Sequence, residues 1–258
     1  MTIPGEFRSG GTHIPGFSGL LVPDTLEAIR REVIGCARCP RLVRWRERVA
    51  RERKREFRKE VYWGRGVPGF GDPRARLVVV GLAPAAHGSN RTGRMFTGDR
   101  SAAFLVRALY ASGFANQPTS VRRSDGLRYT DLYLSAAVRC VPPDNRPLPE
   151  ERVNCSGYLV RELRLLDNAR AILCLGGFAW DAVREIVPAA YDRPRPSAAF
   201  AHGVCAPLGP GRPLLWGSYH PSPQNTNTGK LSHEMLVGLL ERVRASFGGD
   251  VPRPARQA

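Results

Sequence analysis

Residues 77–99 of this chain read LVVVGLAPAAHGSNRTGRMFTGD, and the apolar run at the start of this stretch decides the fold. A short run rich in valine and leucine is typical of a strand buried on both faces of a parallel sheet. Further runs of this kind stand at residues 132–138, 171–175 and 214–219. Helical patterns lie between and after the runs, at residues 101–112, 149–166, 178–186 and 231–247. Strands that alternate with helices predict an α/β fold with a parallel sheet.

The chain has 258 residues, which is enough for one α/β domain with its own core. We predict a flexible N-terminal arm at residues 1–20, a single domain at residues 21–247 and a disordered tail at residues 248–258. The first helix is predicted to follow Asp24 as its N-cap and to end at Gly35. The sequence holds no apolar run of about 18 residues and no secretory signal, so we expect a cytoplasmic protein with no membrane partner. No sequence feature demands a dimer, so a monomer is expected.

The net charge is +16 at pH 7, from 39 Lys and Arg against 23 Asp and Glu. Such an excess attracts polyanions, and nucleic acid is favoured over a membrane because no amphipathic lipid-facing stretch accompanies the charge. The alternative is that arginine is simply abundant in all proteins of the source organism. Residues 41–59 are dominated by Arg and Lys and predict a helix with Leu42, Trp45 and Val49 on its apolar side. The charged face of this helix is either only solvated or turned towards DNA.

Six cysteines in a protein expected in the cytoplasm argue against a disulfide framework and for metal or redox chemistry. Cys36 and Cys39 form a C-x2-C pair, and Cys140 and Cys155 form a C-x14-C pair far downstream. Thiolates with this spacing could hold a tetrahedral zinc ion or a 4Fe-4S cluster in a structural role. The alternative is four ordinary buried cysteines. We interpret the remaining two as non-ligands: Cys174 and Cys205.

Three polar loops rich in Gly and Pro follow predicted strands, at residues 81–99, 138–147 and 217–229. In open parallel sheets, ligands bind beyond the carboxyl ends of the strands. We therefore expect the three loops to converge on one edge of the sheet and to form the functional site there.

Two long motifs identify a relationship: GLAPAAHGSNRTGRMFTGD at residues 81–99 and HPSPQNTNTG at residues 220–229. Together with the four cysteines, they resemble the family 5 (B-type) iron–sulfur uracil-DNA glycosylases, over residues 36–241. The resemblance implies a three-layer α/β/α sandwich with a central four-stranded parallel sheet. It implies an enzyme that flips uracil, and hypoxanthine or other deaminated or damaged bases, out of DNA and hydrolyses the N-glycosidic bond, which leaves an abasic site. It also implies a structural 4Fe-4S cluster held by Cys36, Cys39, Cys140 and Cys155.

A glycosylase must stabilise the departing base anion, and His220 is expected to act as a catalytic residue by donating to the anionic O2 of uracil. Phe96 is expected to stack on the flipped base. The alternatives are a structural imidazole and a core phenylalanine. By resemblance, the proline-stiffened loop that contains Ser222 presses on the DNA backbone, and Gln224 fills the gap left by the base. Asn225 either bonds a phosphate or supplies a turn.

At two positions this chain differs from other members of the superfamily. One position concerns the activation of the attacking water, and the other concerns recognition of the base. Many members of the superfamily carry Asp or Asn, which activates the water, where this chain has Ala83, itself a feature of the family 5 pattern. The candidates for that role are Asp99 as a base, Asn90 as an orienting group, and His87. Some members carry an Asn that this chain replaces by Ala136. The loss of that amide predicts relaxed base choice, weaker activity or both.

The backbone amides of Gly81, Leu82 and Ala83 could contact the base or a phosphate. One rival function is a non-catalytic nucleic-acid-binding protein with a zinc or iron–sulfur site, which leaves His220 and the two motifs without a role. A second is a phosphate-binding α/β enzyme, but the chain has neither GxGxxG nor GxxxxGK(S/T) in its first loop. A third is a relative that traps uracil-DNA covalently, and residues 220–229 offer no obvious added nucleophile.

Overall fold

The computed structural model of the protein describes residues 24–248. The predicted arm at residues 1–20 and all but the first residue of the predicted tail lie outside the described residues. The predicted assignment of residues 21–247 to a single domain stays a prediction.

Four parallel strands form the centre of the sheet: β2 (Leu77–Gly81), β3 (Leu132–Ala136), β4 (Ala171–Leu175) and β6 (Leu214–Ser218). Two short strands, β1 (Phe70–Gly71) and β5 (Cys205–Pro207), add to the outer edges antiparallel to β3 and β6. The order in the sheet is β1-β3-β2-β4-β6-β5. The predicted α/β fold with four central parallel strands is confirmed. The edge strands were not predicted, because two or three residues are too few to show a period of two.

The helices that cover the sheet and connect its strands within residues 24–248 are α1 (Leu26–Gly35), α2 (Pro40–Glu52), α3 (Ser89–Thr92), α4 (Arg100–Ala111), α5 (Pro149–Leu165), α6 (Gly177–Tyr191), α7 (Pro223–Thr226) and α8 (His233–Ala245). Short 3-10 helices lie at Arg55–Phe57, Pro143–Asn145 and Ser246–Gly248. No helix in this part of the chain combines the length and apolar character needed to cross a membrane.

Two predictions about the first helices are wrong. The N-cap of α1 is Thr25, whose hydroxyl accepts a backbone N–H at 3.0 Å. Asp24 instead forms an ion pair with Arg161, at 2.6 Å between Oδ1 and Nη2. The second helix stops at Glu52, well short of its predicted end, because Arg53 has a φ of 51° and cannot continue a right-handed helix.

The sheet separates two hydrophobic cores, and successive strand residues face opposite cores. In β2, Val79 packs in the core with Leu109 of α4 and with residues of α8. Its neighbour Val78 packs in the other core with Val183 of α6 and with residues of α5. The helices therefore form one layer on each face of the sheet, as predicted for a three-layer sandwich.

Candidate active site

The parallel strands end together at one edge of the sheet. Gly81 of β2 stands opposite Ala136 of β3, and Leu175 of β4 stands opposite Ser218 of β6. Just past the strands, the backbone N–H of Ala137 donates to the oxygen of Gly81 at 2.9 Å. The structure thus brings the loops that follow β2, β3 and β6 to the same edge, as the sequence predicted.

His220 lies two residues beyond β6 and beside the start of α6. A Cβ atom added to Gly176 would stand 3.4 Å from the Cβ of His220. The side chain is half-buried, and this burial lowers the pKa of His220 to about 4. At neutral pH the ring is therefore uncharged and keeps one N–H that can donate a hydrogen bond. The backbone oxygen of His220 accepts from Asn225 Nδ2 at 2.9 Å, which fixes the segment that carries the ring.

Phe96 lies against the end of β2. Its ring edge is so close to Gly81 that a Cβ atom there would be 2.8 Å from Phe96 Cζ. Phe96 has a φ of 46°, in the left-handed region that costs a phenylalanine on the order of 1–3 kcal/mol. The hydroxyl of Ser120 donates to the oxygen of Phe96 at 2.9 Å and helps to hold this conformation. The ring is half-buried, and its buried part packs against the core.

Two of the three candidates for the water-activating role, Asp99 and Asn90, make structural contacts. Asp99 is the N-cap of α4, where its Oδ1 accepts the backbone N–H of Ala102 at 2.9 Å. The carboxyl group is enclosed against Gly88, and this burial raises the pKa of Asp99. Asn90 is fully buried in α3, and its Nδ2 donates to the backbone oxygen of Arg46 at 3.3 Å. Their catalytic roles stay predictions.

The remaining predicted residues of the first two loops lie along the same edge. Leu82 and Ala83 follow β2 and are half-buried. Ala136 is buried at the end of β3 and offers no polar side-chain atom to a base. His87 is half-buried, with Nδ1 3.0 Å from the hydroxyl of Tyr62, and burial lowers the pKa of this imidazole.

The loop after β6 contains the predicted DNA-contacting residues Ser222, Gln224 and Asn225, and α7 supplies its single helical turn. The side chains of Asn225, Thr226 and Thr228 bond to backbone oxygens within the loop. The hydroxyl of Thr226 donates to the oxygen of Ser222 at 3.2 Å, and that of Thr228 donates to the oxygen of Gln224 at 2.7 Å. These bonds favour the interpretation of Asn225 and Thr226 as turn formers. The side chain of Gln224 is exposed.

The four cysteines of the predicted cluster lie close to the loop that follows β2. Cys39, Cys140 and Cys155 are buried in one apolar cluster, and Cys36 is half-buried just after α1. Burial raises the pKa of the three buried thiols, and a charge on any of the four would act on another. Ala83 packs against this cluster, so the cysteines support the first site loop from behind.

Two polar side chains are directed at these sulfurs. Arg46 Nη1 donates to Cys140 Sγ at 3.0 Å, and Asn154 Nδ2 donates to Cys39 Sγ at 3.5 Å. Arg46 is buried, and among residues 24–248 it has no carboxylate partner and no acceptor for its Nε. Sequence reasoning missed this residue. The available signal was its position four residues after Leu42, on the apolar side of α2.

His202 is a second residue that the sequence did not reveal. Its Nδ1 accepts the backbone N–H of Tyr219 at 3.3 Å, and the two rings stack with their centroids 5.2 Å apart. Burial lowers the pKa of His202, so the nitrogen can accept at neutral pH. The contact holds the residue that directly precedes His220. Because His202 lies in an irregular segment, no pattern in the sequence indicated it.

Comparison with known proteins agrees with this geometry. A family model described as the uracil DNA glycosylase superfamily matches residues 68–244. The chain is 50% identical over 214 residues to the type-5 uracil-DNA glycosylase of Mycobacterium tuberculosis (strain CDC 1551 / Oshkosh), covering 83% of this chain and 78% of the relative. It is 48% identical over 216 residues to that of Pyrobaculum aerophilum, covering 84% and 91% of the two chains. It is 48% identical over 222 residues to that of Thermus thermophilus, covering 86% and 98%.

Two observations define the class of protein. The sheet carries a neutral histidine and an aromatic ring at its carboxyl edge, and one family model matches more than half of the chain. This protein belongs to the uracil DNA glycosylase superfamily. Within that superfamily it belongs to the type-5 group, as the two motifs and the four cysteines predicted.

Proposed function

We propose that this protein removes uracil from DNA by hydrolysing the N-glycosidic bond, which leaves an abasic site. The observation that carries the proposal is that Phe96, against Gly81 at the end of β2, and His220, against Gly176 just past β4, lie at the same edge of the sheet. Because β2 and β6 both pair with β4, the ends of β2 and β6 are two strand spacings apart, roughly 10 Å. We place the flipped base at this edge, between the Phe96 ring and the His220 imidazole.

The chemistry follows from the charge that develops in the reaction. As the bond between C1′ and the base nitrogen breaks, its electron pair leaves with the base, and water adds to C1′. The uncharged ring of His220 donates its N–H to the base oxygen on which this charge collects. Removal of one such positioned donor typically lowers the rate by about 10²–10³-fold. The Asn225 side chain holds the backbone of His220, so the donor needs little rearrangement.

Base flipping makes a separate demand. Extruding a base from the duplex costs a few kcal/mol, which stacking on the base and contacts in the emptied space offset. The half-buried ring of Phe96 supplies the stacking surface. The exposed Gln224, on a loop held by its own hydrogen bonds, enters the gap in the duplex.

The experiment is base release from a labelled duplex that contains one G·U mismatch, followed by alkaline cleavage of abasic sites. We expect strand scission by the wild type and near loss of scission in His220→Ala. Binding of the same duplex, followed by fluorescence anisotropy, should change far less. Equal losses of scission and binding in a folded variant would contradict the catalytic role of His220. No scission by the folded wild type would favour the non-catalytic binding protein.

We further propose that the four cysteines hold a structural 4Fe-4S cluster. The buried Arg46 supports a cluster, since a buried cation is stable only beside an anion, and four thiolates with a cluster carry net negative charge. The thiols of a cluster bind four different irons and stand further apart than ligands of one ion. Within residues 24–248 no three Cys, His, Asp or Glu residues are spaced to hold a single metal ion. When bound, the cluster would cross-link α1, α2 and α5 to the segment that follows β3.

Iron, acid-labile sulfide and zinc contents of the purified protein test this proposal. We expect four irons and four sulfides per chain and no stoichiometric zinc. Cys39→Ala should lose the iron, whereas Cys174→Ala is the matched control, because Cys174 is buried in the core away from the cluster. Stoichiometric zinc, or full iron retention by Cys39→Ala, would refute the cluster.

A further inference from the structure

A large cavity lies at the edge of the sheet opposite to His220. Its volume is about 1100 Å³. Arg170, which directly precedes β4, and Leu214, the first residue of β6, both line it, so it stands at the amino ends of the parallel strands. Five strand residues at about 3.3 Å each place it roughly 15 Å from the candidate active site. This cavity is separate from the site that binds the flipped base.

Four arginines line this cavity: Arg170, Arg193, Arg195 and Arg212. All four are exposed, and none of the described lining residues is acidic. Within residues 24–248, none of the four forms an ion pair. Like charges around a concave surface reinforce one another and concentrate anions there. We call this feature the arginine cavity.

Two of these guanidinium groups, those of Arg170 and Arg212, have partners within the protein. Arg170 Nη1 donates to the backbone oxygen of Asn168 at 3.2 Å. The guanidinium of Arg212 stands over the ring of Tyr191, 5.7 Å from its centroid. The side chain of Arg193 runs against Gly209, where a Cβ atom would come within 3.2 Å of it. Arginines that are already oriented lose less entropy when they bind a phosphate with two parallel N–H donors.

The floor of the arginine cavity is apolar, whereas its rim is charged. Ala198, Leu208, Leu214 and Phe247 contribute carbon surface to the lining. A ligand that matches both parts carries phosphates for the guanidiniums and a flat, weakly polar group for the floor. A nucleotide unit has both, with the base or sugar as the flat part. An inorganic anion would leave the floor without a partner.

We propose that the arginine cavity binds the phosphate groups of a nucleotide ligand, either within a single strand of nucleic acid or as a free nucleotide, at a site distinct from the active site. A strand and a free nucleotide present the same phosphate groups and bases to the cavity, and an oligonucleotide and a nucleoside triphosphate used as separate probes distinguish them.

Cys205 lines the cavity and is a half-buried free thiol, which gives a local readout. Burial raises the pKa of Cys205 to about 11, so alkylation is followed in alkaline buffer by peptide mass spectrometry. The full-length protein is treated with and without a short uracil-free oligothymidine, or with thymidine triphosphate. We expect at least one probe to slow Cys205 alkylation several-fold. Protection by the oligonucleotide alone assigns a strand, and protection by the triphosphate assigns a free nucleotide as well.

The double variant Arg193→Glu/Arg212→Glu should abolish this protection while leaving uracil excision within twofold of the wild type. The matched control is Arg31→Glu/Arg107→Glu, which makes the same charge change at two exposed arginines outside the cavity. It should keep the protection. No protection by either probe would overturn the proposal. An equal loss of protection in both double variants would also overturn it, because it would show attraction by net charge alone.

Discussion

The ring edge of Phe96 occupies the space in which a side chain at residue 81 would begin, because a Cβ atom on Gly81 would stand 2.8 Å from Phe96 Cζ and 3.0 Å from Cε2. The Phe96 ring can therefore keep its position only if residue 81, at the end of β2, is glycine. It is not needed for a backbone turn, since Gly81 is a strand residue whose φ is not positive.

Gly81→Ala should displace the Phe96 ring and lower uracil excision by about tenfold, which corresponds to roughly 1.4 kcal/mol in the barrier. The measurement is single-turnover excision from a G·U duplex. Gly157→Ala is the matched control, since this helical glycine has open space where its Cβ would stand. It should keep full activity and gain about 1 kcal/mol of stability. Full activity in Gly81→Ala would remove Phe96 from its proposed role.

Protein stability should fall in mild acid because of His220. Its pKa is about 4 in the folded protein against 6.5 ordinarily. The contribution of the His220 imidazole to the free energy of unfolding is fully present above pH 6.5. It is lost as the pH falls towards 4, because in this range the unfolded chain binds a proton at His220 that the folded protein does not bind. Urea midpoints at about pH 5 and about pH 8 measure the loss. His220→Gln should shrink the difference between the two midpoints, and an unchanged difference would contradict the burial of a neutral ring.

His202 should act as a positioning residue through Tyr219. His202→Phe keeps a ring for stacking but leaves the backbone N–H of Tyr219 without its acceptor, which costs about 1–3 kcal/mol. We expect kcat for excision to fall several-fold with little change in KM, because the donor ring of His220 loses its alignment while DNA contacts remain. A purely structural role would lower the unfolding midpoint and leave kcat of the folded fraction unchanged.

Arg46 should stabilise the proposed cluster. Arg46→Met removes the buried charge and the hydrogen bond to Cys140 at similar volume. We expect faster loss of iron in air, followed by visible absorbance. Arg48→Met on the same helix is the control, since Arg48 is exposed and forms a surface ion pair with Glu52 at 2.7 Å. Equal rates of iron loss in the two variants would contradict the assignment.

Base selectivity should respond to residue 136. Ala136 is buried opposite Gly81 at the site edge, so Ala136→Asn places an amide beside the flipped base. We expect the ratio of kcat/KM for uracil to that for hypoxanthine to rise. Ala137→Asn is the control, because Ala137 lines a different cavity with Leu159 and Ile186. It should lower stability and leave the ratio unchanged. An unchanged ratio in Ala136→Asn would argue against a role for this position in base choice.

Sequence patterns predicted those features of the fold that depend on the regular burial of apolar residues. Apolar runs located β2, β3, β4 and β6 to within two residues, and the rule for parallel sheets placed the loop of Phe96 and the loop of His220 on one edge. The resemblance supplied the roles of these residues, which no periodicity could. The turn role of Asn225 was left open, because only the structure shows that its amide bonds the oxygen of His220.

The features that could not be predicted from the sequence depend on contacts between residues that are far apart in the chain. Asp24 and Thr25 are both good N-caps, and the choice was decided by Arg161, more than a hundred residues away, which takes the Asp24 carboxylate. Similarly, the buried position of Arg46 depends on Cys140, which the chain brings to α2 only when β3 is in place. Pairings of this kind leave no local pattern.

The two short edge strands have a consequence for how molecules of this protein behave towards one another. An exposed strand edge recruits strands from other molecules, which is how many proteins begin to aggregate. Here β1 offers only two residues, and β5 is three residues long and ends on Pro207, which has no backbone N–H. Neither edge provides a template long enough for intermolecular pairing. The short edges therefore protect this DNA glycosylase from aggregation through strand pairing.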